Sequence, residues 1–194
     1  MDQPETDADA KLAHGAPRAG EVVASWRDAG PKLWYAKDDA FDARLRARFG
    51  ARVEEAESGG LDHWAGVPEG ALALILLLDQ LPRNLYRGTP RMFATDAAAK
   101  AQADAAIAAG FDAHFARDLR QFFYLPYMHS EDLADQERSV ALYKALGNAE
   151  NLRYAEIHAE PIRRFGRFPH RNSILGRETT AEEQAYLDDG GFKG

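Results

Sequence analysis

Pro68-Glu69-Gly70-Ala71-Leu72-Ala73-Leu74-Ile75-Leu76-Leu77-Leu78-Asp79-Gln80-Leu81-Pro82-Arg83-Asn84 is the stretch on which the fold turns. From Ala71 to Leu78 every side chain is apolar, and leucine and alanine favour helix over strand. A helix that is apolar on all sides belongs at the centre of a core. Pro82 lacks an N–H, and its ring crowds the carbonyl four residues back, so a kink or break is expected near Gln80-Leu81. Four polar side chains, Asp79, Gln80, Arg83 and Asn84, then fall together at the end of the most buried helix, as a ligand pocket needs. The competing reading is a C-terminal cap, in which Arg83 and Arg87 satisfy the last carbonyls and Asn84 stabilises the turn.

Outward from this helix the pattern stays helical. Val22, Val23 and Trp26 share one face before Gly30-Pro31. Asp38-Asp39 opens a helix in which Phe41, Leu45 and Phe49 recur every four residues. Thr89-Pro90 reads as a helix start, with a helix over 91–109 that Gly110 ends. Residues 112–124 predict another helix, ended before Pro126. Ser130 predicts the cap of a helix that runs to about Leu146, and Ala149 to Phe165 is helical again, with a bend at Pro161. Residues 166–177 read as a loop, and Thr180-Ala181-Glu182-Glu183 as a capping box. Nothing alternates as a strand. The expectation is an all-α array of helices in a single domain over 19–194, preceded by a mobile tail over 1–18.

Composition bounds the function. With 194 residues, 45% of them hydrophobic, the chain can bury a core without staples. It has no cysteine, which removes disulfides, thiolate catalysis and Cys-based zinc sites. A formal net charge of -7 disfavours nucleic acid as a partner. The acidic stretch Met1-Asp2-Gln3-Pro4-Glu5-Thr6-Asp7 does not look like a targeting segment, and the apolar run is far too short for a bilayer. A cytoplasmic location is expected, with no membrane partner.

Against that acidic background, 163–177 carries Arg163, Arg164, Arg167, Arg171, Arg177 and His170 without one acid. Concentrated like charge needs compensation, either from acids elsewhere in the chain (Asp79, Glu131, Glu160 or Glu183) or from an anionic ligand. The planar guanidinium fork suits carboxylate and phosphate. A third group is His129-Ser130-Glu131. His129 is expected just ahead of a helix N-terminus, where the dipole would favour neutral imidazole and so a general base. Metal-binding and phosphate-loop or dinucleotide motifs are absent, and no cofactor is expected. Trp26, Trp34 and Trp64 are expected in packing.

Several blocks, taken in order, resemble the bacterial domain-of-unknown-function family 924. They are Trp34-Tyr35 with Asp38 and Phe41-Asp42, Leu77 to Asn84, Tyr124 to Glu131, and Phe165 to Asn172 with Leu175-Gly176-Arg177. The resemblance covers about residues 20 to 192. It implies a helical fold similar to the tetratricopeptide-repeat superfamily, although that repeat's own sequence pattern is absent. It implies no reaction, but its signature positions coincide with the polar residues above and so support treating them as one site.

The expected site therefore has His129, His170, Asp79 and Glu131 as acid, base or orienting groups. Gln80, Arg83, Asn84, Arg167, Arg171, Asn172 and Arg177 are its ligand-binding residues, and its occupant is a small anionic metabolite that is hydrolysed or transferred. The alternative is a helical interaction module that takes an acidic peptide or partner protein.

Overall fold

The computed structural model describes residues 18–194, so the tail expected for 1–18 lies, apart from Arg18, outside the described residues. The protein is an all-α multi-helix array with no strand among the described residues. Helix α1 (Ala19–Ala29) presents Val22, Val23 and Trp26 inward, and α2 (Pro31–Trp34) follows at once. Helix α3 (Asp39–Glu57) is capped by Asp38, whose carboxylate accepts from the Phe41 N–H at 2.8 Å. Its Phe41, Leu45 and Phe49 are buried, as their spacing predicts.

The apolar run forms the central helix α4 (Pro68–Ile75), and Leu72 to Leu77 are all fully buried. It packs against α1 on one side and against α6 (Asp96–Ala108) on another. Glycine is required at position 70, because a Cβ there would stand 2.0 Å from the Trp64 carbonyl oxygen. Trp26, Trp34 and Trp64 all lie in the core.

The helix does not break at Pro82. It widens into a π-helical turn, Leu76–Gln80, and continues as α5 (Leu81–Leu85), with the Leu81 N–H reaching back five residues to the Leu76 carbonyl. The wide turn accommodates the proline ring. The carbonyl that Pro82 cannot reach, that of Leu78, receives the Thr95 hydroxyl at 2.6 Å instead. All five residues of the π turn are buried, so Asp79 and Gln80 are held inside the protein rather than at a frayed end.

Other boundaries also differ from expectation. The segment after Thr89 is a short 3-10 helix, Pro90–Phe93, and α6 starts only at Asp96; the Thr89 hydroxyl donates to Tyr86 O rather than capping a helix. Residues 112–124 form short pieces rather than one helix: 3-10 turns at Phe111–His114 and Gln121–Phe123 flank α7 (Arg117–Arg120). Pro126 sits inside α8 (Leu125–Met128), where proline is tolerated in a first turn. The cap of α9 (Leu133–Leu146) is Asp132, not Ser130. Helix α10 (Ala149–Phe165) spans its expected length with Pro161 inside, and it pairs with α9 as a hairpin. Gly147 turns that hairpin at φ 74°, a left-handed conformation that glycine adopts without strain. The expected loop over 166–177 holds a 3-10 turn, Pro169–Arg171, and the short α11 (Asn172–Leu175); α12 (Ala181–Asp188) carries the predicted capping box at Thr180.

Thr95→Val keeps the side-chain shape and removes the donor to Leu78 O. The expected loss of stability is about 1–3 kcal/mol, the range for a buried carbonyl left unpaired. Urea unfolding measures it, with Thr95→Ser expected to stay close to wild type.

Candidate functional site

Asp79 is completely buried, yet its carboxylate is ionised. Burial pushes its pKa up, but Arg83, then His129 and Gln80, outweigh that and hold it well below the usual carboxylate range. Arg83 Nη1 stands 3.2 Å from Oδ1, His129 Nδ1 lies 2.7 Å from the same oxygen, and Gln80 Nε2 donates to Oδ2 at 2.6 Å. The site is set by position along one helix: residues 79 and 83 share a face because α5 continues without a break.

His129 caps the C-terminal end of α8, not the start of a helix. Its pKa is lowered, first by burial and then by Arg83, while Asp79 pulls the other way. The expected helix-dipole cause does not operate; the outcome, neutral imidazole near pH 7, is the same. An ionised carboxylate only accepts, so Nδ1 carries the proton and donates it to Asp79. Nε2 is left as a base with no hydrogen-bond partner among the described residues.

His129 lines a cleft of about 400 Å³, together with Pro90, Phe93, Asp96, Lys100, Glu131 and Arg171. Asp96 ties the wall together. Its carboxylate takes both arms of Arg83, at 2.8 and 3.0 Å, and one nitrogen of Arg171 at 3.3 Å. Arg171 also donates to the His129 carbonyl at 2.9 Å, and its guanidinium lies 4.5 Å from the ring centres of both Phe93 and Phe168. Burial, then Arg83, lowers the Arg171 pKa to about 10.

The structure separates the remaining predicted residues. Arg177 forks onto Glu131 at 2.6 and 2.9 Å, and the Phe168 N–H donates to Glu131 as well. Arg167 and Asn172 turn to Glu183, and Arg177 also donates to Asn172 Oδ1. Asn84 points away, donating to Asp42 beside Arg87. Ser130 donates to Asp135. His170 does not line the cleft; it packs edge-on against Phe192, 5.0 Å between ring centres, and its Nδ1 is buried without a partner. The compensating acids are thus Glu131 and Glu183 among those expected, with Asp96 for Arg171 and Glu156 for Arg163 in addition. No group of three or more metal-capable side chains occurs among the described residues.

Asp96, Lys100 and Phe93 complete the picture with no sequence motif to mark them, and His158 stands behind them. Asp96 was hidden in a helix expected to start at Thr89, where it reads as an ordinary surface acid. The signal was present: Asp96 and Lys100 are four apart, hence on one helical face. His158 sits behind His129, 6.1 Å between ring centres, with Phe192 at 4.1 Å on its other side.

Residues 22–191 match the family model described as a bacterial protein of unknown function (DUF924). The fold is similar to that of a protein of unknown function from Agrobacterium tumefaciens, with a TM-score of 0.86 and 49% identity over 89% of this chain and 97% of the other. No curated protein matches.

Two partly buried histidines besides His129 give the fold a pH signature. Burial, then His129, lowers the pKa of His158 to about 3, and burial, then Arg171, lowers that of His170 to about 4, from an ordinary 6.5. The unfolded chain binds these protons first, so stability is complete above about pH 6.5 and falls as pH drops toward those values. The lowered carboxylates, Asp79, Asp104, Glu131 and Glu183, act only further down, below their ordinary 3.8 to 4.5. Between about pH 6.5 and 4.5 the expected slope is therefore at most about 1.4 kcal/mol per pH unit for each histidine. Urea unfolding at fixed pH reads it, and His158→Gln and His170→Gln should each flatten it.

Proposed function

Since this chain belongs to the bacterial DUF924 family of unknown function, its activity has to be argued from its own side chains, and we propose hydrolysis or group transfer on a small anionic molecule with His129 as general base. The observation that carries this is the Asp79–His129 pair, its carboxylate fully buried, with Nε2 of the imidazole unpartnered on a residue that lines the cleft. A carboxylate on Nδ1 fixes both the tautomer and the ring orientation, as it does wherever histidine activates a nucleophile. Ser130 is tied to Asp135, so the nucleophile in this reading is water or a hydroxyl of a second substrate. Nε2 takes the proton of that hydroxyl as its oxygen attacks, and returns it to the departing group.

The π turn supports the same reading, because π-bulges occur frequently at functional sites and this one holds Asp79. Size agrees too: a cleft of about 400 Å³ lies in the usual range for small-molecule sites. The alternative of an acidic-peptide groove needs arginines free at its rim. Arg83, Arg167 and Arg177 are instead engaged by carboxylates of the same chain.

A panel of carboxylic, amide and phosphoric ester substrates tests the proposal. Activity found on any of them should fall about 10²–10⁴-fold in His129→Gln, the range for loss of a general base. A His129→Gln protein as active as wild type would overturn it. Asp79→Asn should lower the His129 pKa still further, because Asp79, ahead of Asp96, is the main group that raises it; NMR titration of the imidazole measures the shift.

A further inference from the structure

We infer that Arg171 and the N-terminus of α6 together form a subsite for a single carboxylate beside His129, so that the molecule acted on is a monoanionic carboxylate rather than a phosphate. The inference deepens the reading above and rests on it only for where the reacting group lies.

Arg171 differs from the other arginines of the site. Arg83 holds Asp96 with both arms, Arg177 holds Glu131 with both arms, and Arg167 holds Glu183 with two nitrogens. Arg171 has no carboxylate of its own. It borrows one oxygen of Asp96 at 3.3 Å, the longest of these contacts, and its Nε is buried with no partner. The residue is 6% exposed and lines the cleft. A buried cation with an unused donor is costly unless a further anion completes it. The rings of Phe93 and Phe168, each 4.5 Å from the guanidinium, restrict it before any ligand arrives.

The second element is α6. Its N-cap is Thr95, but the hydroxyl that would normally cap the helix is turned to Leu78 O, the carbonyl that Pro82 leaves free. The helix therefore starts without a side-chain cap. The N–H groups of Ala97 and Ala98 have no acceptor among the described residues, both residues are exposed, and Ala97 lines the same cleft as Arg171 and His129. Open N–H groups and the positive end of a 13-residue helix attract an anion.

Charge selects the anion. Asp79, Asp96, Glu131 and Asp135 are linked to Arg83, Arg171, Arg177 and Lys100, so the fixed charges around the cleft cancel. One unit of negative charge can be met by the unused guanidinium donor and the helix end. A dianion would face Asp96 and Glu131 without a cation to spare.

Phenylacetate, benzylphosphonate and benzylamine share one skeleton and differ in the charged group, so they serve as probes for calorimetric titration. The expected order is phenylacetate tightest, with binding about tenfold weaker in Arg171→Leu, the loss of a charge-assisted hydrogen bond. In wild type, NMR should show phenylacetate shifting the Ala97 and Ala98 amides and the Arg171 Nε–H most, which keeps the test independent of whether Arg171→Leu folds. Phenylacetate binding is read without turnover, so it stands or falls separately from the general-base reading, which the loss of activity in His129→Gln tests. Benzylphosphonate binding as tightly as phenylacetate, undiminished affinity in Arg171→Leu, or no response at Ala97 and Ala98 would each overturn the inference.

Discussion

A proline in the middle of the most buried helix is the constraint from which the site follows. Pro82 has no N–H to give to Leu78 O, and nothing at that depth is solvent. The protein meets the deficit twice. The backbone widens into a π turn, which lets the helix continue, and Thr95 sends its hydroxyl across from α6 to the orphaned carbonyl. Each solution has a consequence at the cleft. The π turn seats Asp79 in the interior beneath His129, and the diverted hydroxyl leaves the start of α6 uncapped. A backbone defect in one helix thus shapes both the Asp79–His129 pair and the helix end beside it.

Burying Asp79 as an anion is the second demand, and it fixes the states of its neighbours. An isolated carboxylate at zero exposure would take up a proton instead. Arg83 prevents this, and in doing so it also pushes the His129 proton affinity down. The result is a charged acid beside a neutral base, two groups whose environments drive their pKa values apart, which is the arrangement acid–base chemistry uses. Arg83 in turn needs a second anion, and Asp96 supplies it from α6. The chain of compensation runs from the centre of the core to the wall of the cleft, so a change at any link alters the protonation of the others.

How much of this was legible in the sequence follows from range. The all-α class and the centrality of Ala71 to Leu78 are local patterns, and they held. So was the grouping of Asp79, Arg83, His129, Glu131 and Arg171, because each stands at a break in a helical pattern, where polar groups collect. The failures are failures of long-range context. Whether Pro82 breaks a helix depends on a threonine thirteen residues away that can satisfy Leu78 O, and periodicity says nothing about Thr95. The true start of α6 was masked for the same reason, and with it Asp96. Asn84, placed at the pocket because it adjoins Arg83, lies one helical step further round and faces Asp42.

The arginine-rich stretch shows why charge along a sequence underdetermines charge in space. Five arginines with no acid between them suggest an anionic ligand or compensation by acids elsewhere in the chain. The fold recruits the acids from different elements: Glu131 ahead of α9, Glu183 on α12, Asp96 on α6 and Glu156 on α10. Most of the positive charge is therefore structural, pinning the segment over 166–177 to the helices around it. What distinguishes Arg171 is geometry rather than charge. It reaches the cleft between two aromatic rings, shares its carboxylate with Arg83, and is left with a buried donor. The other arginines are paired tightly within the chain, so the anion we infer at the cleft would meet Arg171 rather than them.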